Sequence, residues 1–239
     1  MDEDAPTRER GYLVDVLISV DLEGVAGIAT RQQTNPAGRD YPIARALMTA
    51  EANAAVAGAF DGGATSVVVN DSHGPMDNLL GEQLDPRADY VIGDPKPLDM
   101  VQEVTPQTGV VFLVGYHAGA ADPGGVLAHT YSGVFADVRL NGRSISEAEL
   151  NALMTADAGV PVGLVTGDDV ICGVAEKAFP SEPAIEVELR LNGAAELAAK
   201  VPGTERTGTS SVRYLAGSPR VAMDVLIVWS VLTRQYLSN

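Results

Sequence analysis

An apolar run, Leu13-Val14-Asp15-Val16-Leu17-Ile18, leads straight into Ser19-Val20-Asp21-Leu22-Glu23-Gly24. A run of this kind, rich in Val, Leu and Ile, suits a strand buried on both faces of a parallel sheet. It ends in two acids one residue apart, followed by a glycine. If the extended conformation continues that far, Asp21 and Glu23 point the same way. Two adjacent carboxylates repel, and burying them is costly. A cation between them removes that cost, so the stretch reads as a pair of metal ligands at a strand end. A solvated strand end, where acids are common, accounts for the same residues by itself.

The rest of the chain alternates strand-like and helical segments. Tyr41 to Phe60 is Ala-rich and stops at Gly62-Gly63, which predicts a helix. Thr65–Val69, Tyr90–Ile92, Gly109–Val114, Val134–Leu140, Val162–Thr166, Ile185–Leu191 and Ser210–Leu215 read as strands. Asn141-Gly142 is a hairpin signal. Helices are expected from Ser146 to about Ala158, from Val170 to Phe179, over Gly193–Lys200 and over Pro219–Tyr236, while Gly27–Asp40 reads as a polar loop. The pattern predicts an α/β fold: three layers, α/β/α, around a mainly parallel sheet, with a smaller C-terminal β/α portion. Residues 1–12 read as a flexible tail and 13–239 as a single domain.

Composition narrows the function. Sixteen basic and 32 acidic residues leave a net charge of −16. A phosphate backbone or an anionic membrane surface would be repelled, whereas cations are attracted. The single cysteine, Cys172, allows neither an intrachain disulfide nor a thiolate cluster. No apolar run reaches the ~18 residues of a membrane span, and the polar start lacks a secretory core. A cytoplasmic protein is expected.

In open α/β sheets, ligands bind outside the carboxyl ends of the strands. Here three strands end in potential ligands: Asp21 and Glu23, then Asp71 and His73, then His117. All three histidines of the chain, His73, His117 and His129, fall in polar or glycine-bearing turns. Histidine ligates zinc and serves as a base near neutral pH. Glu149, three residues after Ser146, completes a capping box. Glu147 is not used by that box; it either complements the helix dipole or supplies a further carboxylate. Asp168 and Asp169 are read as helix-start residues. Phosphate-loop, H-E-x-x-H and G-x-S-x-G signatures are absent. Carboxylates with histidines suit Zn²⁺ or Mn²⁺ better than Mg²⁺.

The segments Ser19–Gly24, Val69–His73, Gly115-Tyr116-His117-Ala118, Ala128-His129 and Glu147–Ala152 resemble, in order, the D-aminopeptidase family of zinc metallopeptidases, the DppA type associated with dipeptide-transport operons. Gly93-Asp94-Pro95-Lys96-Pro97 and Val201–Glu205 are similar to further family stretches. The resemblance implies a binuclear zinc centre on Asp21, Glu23, His73, His117 and Glu147, with Asp21 bridging the ions; Mn²⁺ stays possible on the ligand chemistry alone. It implies that His129 is the catalytic nucleophile or base. It implies cleavage of N-terminal D-amino acids, typically D-Ala, from short peptides by a ring-like homo-oligomer, a decamer in the type member. One departure stands out: near 180–184 the chain is several tens of residues shorter than the family pattern. Another metal-dependent amide or phosphoester hydrolase on the same scaffold, or a non-catalytic metal-binding assembly protein, is the alternative.

Overall fold

The computed structural model describes residues 14–175, 185–191, 204–206 and 211–216. The expected tail at 1–12, the helices over Gly193–Lys200 and Pro219–Tyr236 and the short connection at 180–184 lie outside the described residues. In chain order the first elements are β1 (Asp15–Val20), α1 (Arg31–Thr34), α2 (Tyr41–Asp61), β2 (Ser66–Asp71), β3 (Asp89–Val91) and β4 (Val110–Tyr116). There follow β5 (Phe135–Leu140), β6 (Arg143–Ser144), α3 (Glu147–Asp157), β7 (Val162–Gly167), α4 (Asp169–Ala175), β8 (Ile185–Leu191), β9 (Thr204–Arg206) and β10 (Ser211–Ala216).

Five strands in the order β3-β2-β1-β4-β7 form a wholly parallel sheet. Alternation along β1 explains the layers. Val16, Ile18 and Val20 meet the stripe Ala44, Met48, Ala52 and Val56 of α2 on one face. Leu17 belongs to the opposite core, with Leu113, Leu150, Met154 and Ile171 from β4, α3 and α4. A second, antiparallel sheet has the order β6-β5-β8-β10-β9. The smaller portion therefore draws β5 and β6 from mid-chain as well as the expected C-terminal strands. Asn141 and Gly142, both at positive φ (50° and 77°), make the β5–β6 hairpin. Among the described residues no helix is long and apolar enough to cross a membrane.

Three local expectations change. The stretch 27–40 is not all loop: Thr30 and Gln33 form a capping box that starts α1. Asn70 and Asp71 belong to β2 rather than to the turn after it. The extended conformation of β1 stops at Val20. From there the chain crosses the end of β4, with Asp21 N–H donating to Val114 C=O and Gly24 N–H to Gly115 C=O, both at 2.8 Å. The crossing is tight enough to require two glycines. A Cβ on Gly24 would overlap the Tyr116 carbonyl, and one on Gly115, at φ +70°, would overlap that of Asp21. Asp21 and Glu23 thus converge through a turn and not through strand alternation.

A buried polar network ties these elements together. Ser19 Oγ donates to the Met100 carbonyl at 2.6 Å and lies 2.7 Å from Ser72 Oγ and 2.6 Å from the Tyr116 hydroxyl. Asn151 on α3 donates to the same hydroxyl at 2.9 Å.

Candidate metal centre

The carboxyl edge of the parallel sheet carries the site. Asp21 and Glu23 follow β1, His73 follows β2 and His117 follows β4. The order reverses between β1 and β4, the switch point at which such sheets bind ligands. Glu147 arrives as the first residue of α3, whose start is set by Ser146 and Glu149. Glu149 N–H donates to Ser146 Oγ at 3.3 Å, and Ser146 N–H donates to Glu149 Oε2 at 2.8 Å. Because Glu149 is occupied there and by Arg143, Glu147 is left to face the cavity. Asp21, Glu23, His73, His117 and Glu147 are all buried. The cavity they line holds about 330 Å³, a size suited to a small ligand.

The distances arrange the six residues around Asp21. Its Oδ1 lies 3.4 Å from His73 Nδ1, and its Oδ2 lies 3.4 Å from His117 Nε2. His73 Nδ1 is 2.8 Å from Glu23 Oε2, and His117 Nε2 is 3.5 Å from Glu147 Oε1. His129 Nε2 lies 3.9 Å from that same oxygen, and its ring stacks on His117. Two groups gather ligand atoms closely enough for an ion: Asp21 with Glu23 and His73, and His117 with His129 and Glu147.

Each histidine ties one ring nitrogen to a backbone carbonyl: His73 Nε2 to Thr34 at 2.8 Å, His117 Nδ1 to Ala118 at 2.9 Å and His129 Nδ1 to Leu127 at 2.9 Å. A carbonyl only accepts, so those nitrogens carry the protons. In the neutral rings the opposite nitrogens of His73 and His117 then turn lone pairs toward carboxylate oxygens. Only a proton or a metal ion makes that arrangement favourable. Asp21 Oδ2 is buried without a hydrogen bond, and Glu23 Oε2 faces His73 Nδ1 at 2.8 Å. The residues therefore fit a cation-binding centre. Three of the separations among the ligand atoms, 3.4–3.5 Å, are close to the edge of a tetrahedron with bonds of ~2.0 Å, the zinc geometry, while the His73–Glu23 pair at 2.8 Å is shorter.

The electrostatics agree. Burial and then the neighbouring Glu23 push the Asp21 carboxyl up to about 7. Burial also acts to raise Glu23, but His73 overrides it and holds Glu23 below the usual range. Burial opposes charge on His117, yet Glu147 and Asp21 raise it to about 10. His73 is raised in the same way by Asp21 and Glu23. Protons on these two rings supply the positive charge that metal ions would otherwise bring. His129 goes the other way: burial and then His117 lower it, leaving a neutral ring.

Asp71 is not part of the cluster. Its carboxylate accepts from Asn78 N–H at 2.6 Å, Asn78 Nδ2 at 2.7 Å and Leu79 N–H at 2.8 Å, so it braces the loop behind His73. Asp168 accepts from Ile171 N–H at 2.9 Å and caps α4, as its position predicted. Reading the sequence missed the part of the cavity wall made by Lys96, Asp99 and Tyr131. Lys96 lies in a family-like stretch, but no spacing rule points to the other two.

A buried carboxylate–histidine cluster at the carboxyl edge of a parallel α/β sheet fits the metal centre of a hydrolase. The family model for D-aminopeptidase matches residues 14–183. A D-aminopeptidase from Bacillus subtilis (strain 168) is 31% identical over 264 residues, covering 90% of this chain and 96% of the relative. The Zn-dependent D-aminopeptidase DppA from Bacillus subtilis, described as a self-compartmentalizing protease, superposes with a TM-score of 0.87. It is 30% identical, with 92% of this chain and 97% of that one covered. The chain belongs to the D-aminopeptidase family. An alignment of 264 residues exceeds this chain's 239, so the relative carries residues with no counterpart here.

Proposed function

We propose that this protein is a binuclear zinc aminopeptidase that removes N-terminal D-amino acids, D-Ala foremost, from short peptides. Asp21, Glu23 and His73 would hold one ion, and His117 and Glu147 the second, with the two carboxylate oxygens of Asp21 available one to each group. The observation that carries this reading is the split of Asp21, Oδ1 toward His73 and Oδ2 toward His117 at equal distances. The zinc requirement and the D-peptide substrate rest on the similarity to the Bacillus subtilis enzyme.

The ions would polarise the scissile carbonyl and lower the pKa of a bound water. His129 stands beside the cluster with its Nδ1 proton held by Leu127, so its Nε2 is the atom that accepts a proton from the attacking group. Burial keeps that ring neutral and ready to do so. The stack on His117 and the bond from His129 N–H to the Ala118 carbonyl at 3.1 Å hold it in place. Glu147 is steadied by Tyr131 N–H at 2.6 Å. Metal analysis of the purified protein together with a D-Ala-peptide assay tests the reading. Two zinc ions per chain and D-specific release of the first residue are expected; zinc without turnover on any D-peptide refutes the catalytic part. We also infer a ring-like homo-oligomer, on the strength of the relative's self-compartmentalizing assembly. Light scattering on the purified protein checks that.

A further inference from the structure

The proposed ligand set leaves one buried carboxyl in the cavity wall unassigned, that of Asp99. It is 9% exposed and lies at φ +49°, a conformation that strains a residue with a side chain. Bonds from distant parts of the chain impose it. Asn70 Nδ2 donates to the Asp99 carbonyl at 3.1 Å, and Ser19 and Ser72 donate to the next carbonyl, that of Met100, at 2.6 and 3.1 Å. The side chain then lines the same cavity as Asp21 and Glu147. The Tyr131 hydroxyl donates to its carboxyl, while the backbone N–H of Tyr131 donates to Glu147. Asp99 is thus one residue removed from the ligand cluster, and it feels the Glu147 charge.

No cation among the described residues forms an ion pair with it. The nearby Lys96 ammonium is turned to the carbonyls of Asp71 and Val91, at 2.5 and 3.1 Å. Burial, then Glu147 and Asp94, push the Asp99 carboxyl up to about 7, and a cationic ligand beside it would favour its ionised form. Three ligand carboxylates and two divalent ions give a filled cluster a net positive charge. Asp94 also lines the cavity but is exposed to solvent, so Asp99 is the buried acid that remains for a positive group on the substrate.

An aminopeptidase substrate carries such a group in a fixed place. Its α-ammonium sits on the carbon bonded to the scissile carbonyl, so it lies beside the ions whenever that carbonyl does. We propose that Asp99 binds the α-ammonium of the N-terminal residue and thereby confines cleavage to the first peptide bond. This rests on the peptidase reading above and adds a specificity residue to it.

The test is Asp99→Asn in the zinc-loaded protein. Asparagine tolerates a positive φ and still accepts the Tyr131 bond, so only the charge is removed. We expect both ions to be retained, KM for a free-amine D-Ala peptide to rise about 10- to 100-fold, and kcat to stay within about threefold. Calorimetric binding of D-alaninamide, strongly preferred over its N-acetyl analogue by the wild type, should fall to within about threefold of that analogue. A variant that keeps the wild-type preference overturns the proposal, since another group then takes the amine. Loss of metal in the variant overturns it too, by making Asp99 a support of the centre. If the variant does not fold, the wild type still decides: equal binding of the two ligands refutes an amine site. Absence of peptidase turnover refutes the activity alone, because the binding preference is read separately.

Discussion

The rings of His117 and His129 lie parallel, 5° apart in tilt, with centroids separated by 4.1 Å. The ring nitrogens of both approach Glu147 Oε1, His117 at 3.5 Å and His129 at 3.9 Å. Geometry places them together; their surroundings separate them, because His117 is fully enclosed while the His129 side chain is 24% exposed. His129→Ala should therefore keep both ions and the native fold and lose at least about 10²-fold in kcat, the scale of a missing acid–base group. His73→Ala and His117→Ala should lose metal and activity together. Metal stoichiometry and kcat on the same three preparations decide it, and metal loss in His129→Ala would make that residue a ligand.

Asp21→Ala should deplete metal more than either histidine variant. Its two oxygens face two histidines, so its removal takes a ligand from both ions. Elemental analysis showing two ions still bound in Asp21→Ala would contradict the bridging role.

Removing the metal should lower the melting temperature. Asp21, Glu23 and Glu147 are buried around one cavity, and an ion that binds only the native state stabilises by mass action. The effect is about 4 kcal/mol at a thousandfold excess over Kd, or on the order of 10 °C for a chain of this size. Melting curves with and without chelator, with metal loss verified, should differ in that direction.

Asp71→Ala separates support from ligation. It strands two backbone N–H groups and the Asn78 amide in a buried loop, which should cost about 3 kcal/mol or more. Denaturant unfolding measures that loss. Metal content below the transition should stay at the wild-type value; depletion there would return Asp71 to the ligand set.

Much of this was visible in the chain itself. Apolar, largely β-branched runs marked β1, β2, β4 and β7: the central strands β1 and β4 are buried along most of their length, whereas β7 is a partly exposed edge strand that keeps the same composition. Ser146 with Glu149 and Asn141 with Gly142 announced the start of α3 and the β5–β6 hairpin, since both devices are local. What stayed hidden depends on contacts far apart in sequence. Asp71 looked like a ligand because its partners, Asn78 and Leu79, sit in a loop with no motif. Asp99 is held by Asn70 and Tyr131, neither of which lies within reach by local spacing. The turn at Asp21–Gly24 follows from its crossing of the end of β4, which appears only once those strands are paired.

The Tyr116 hydroxyl touches Ser19 of β1 on one side and Asn151 of α3 on the other. Ser19 stands two residues before Asp21, and Asn151 stands one helical turn after Glu147. One phenol oxygen therefore acts as a gauge between carboxylates that enter from opposite parts of the chain. A slip of α3 by a single residue would carry it about 1.5 Å along its axis, beyond the ~0.5 Å that a functional constellation tolerates. It would also strand a buried hydroxyl and a buried amide. Misdocked states that keep half of the centre are penalised by the core itself, so the centre is assembled whole or not at all.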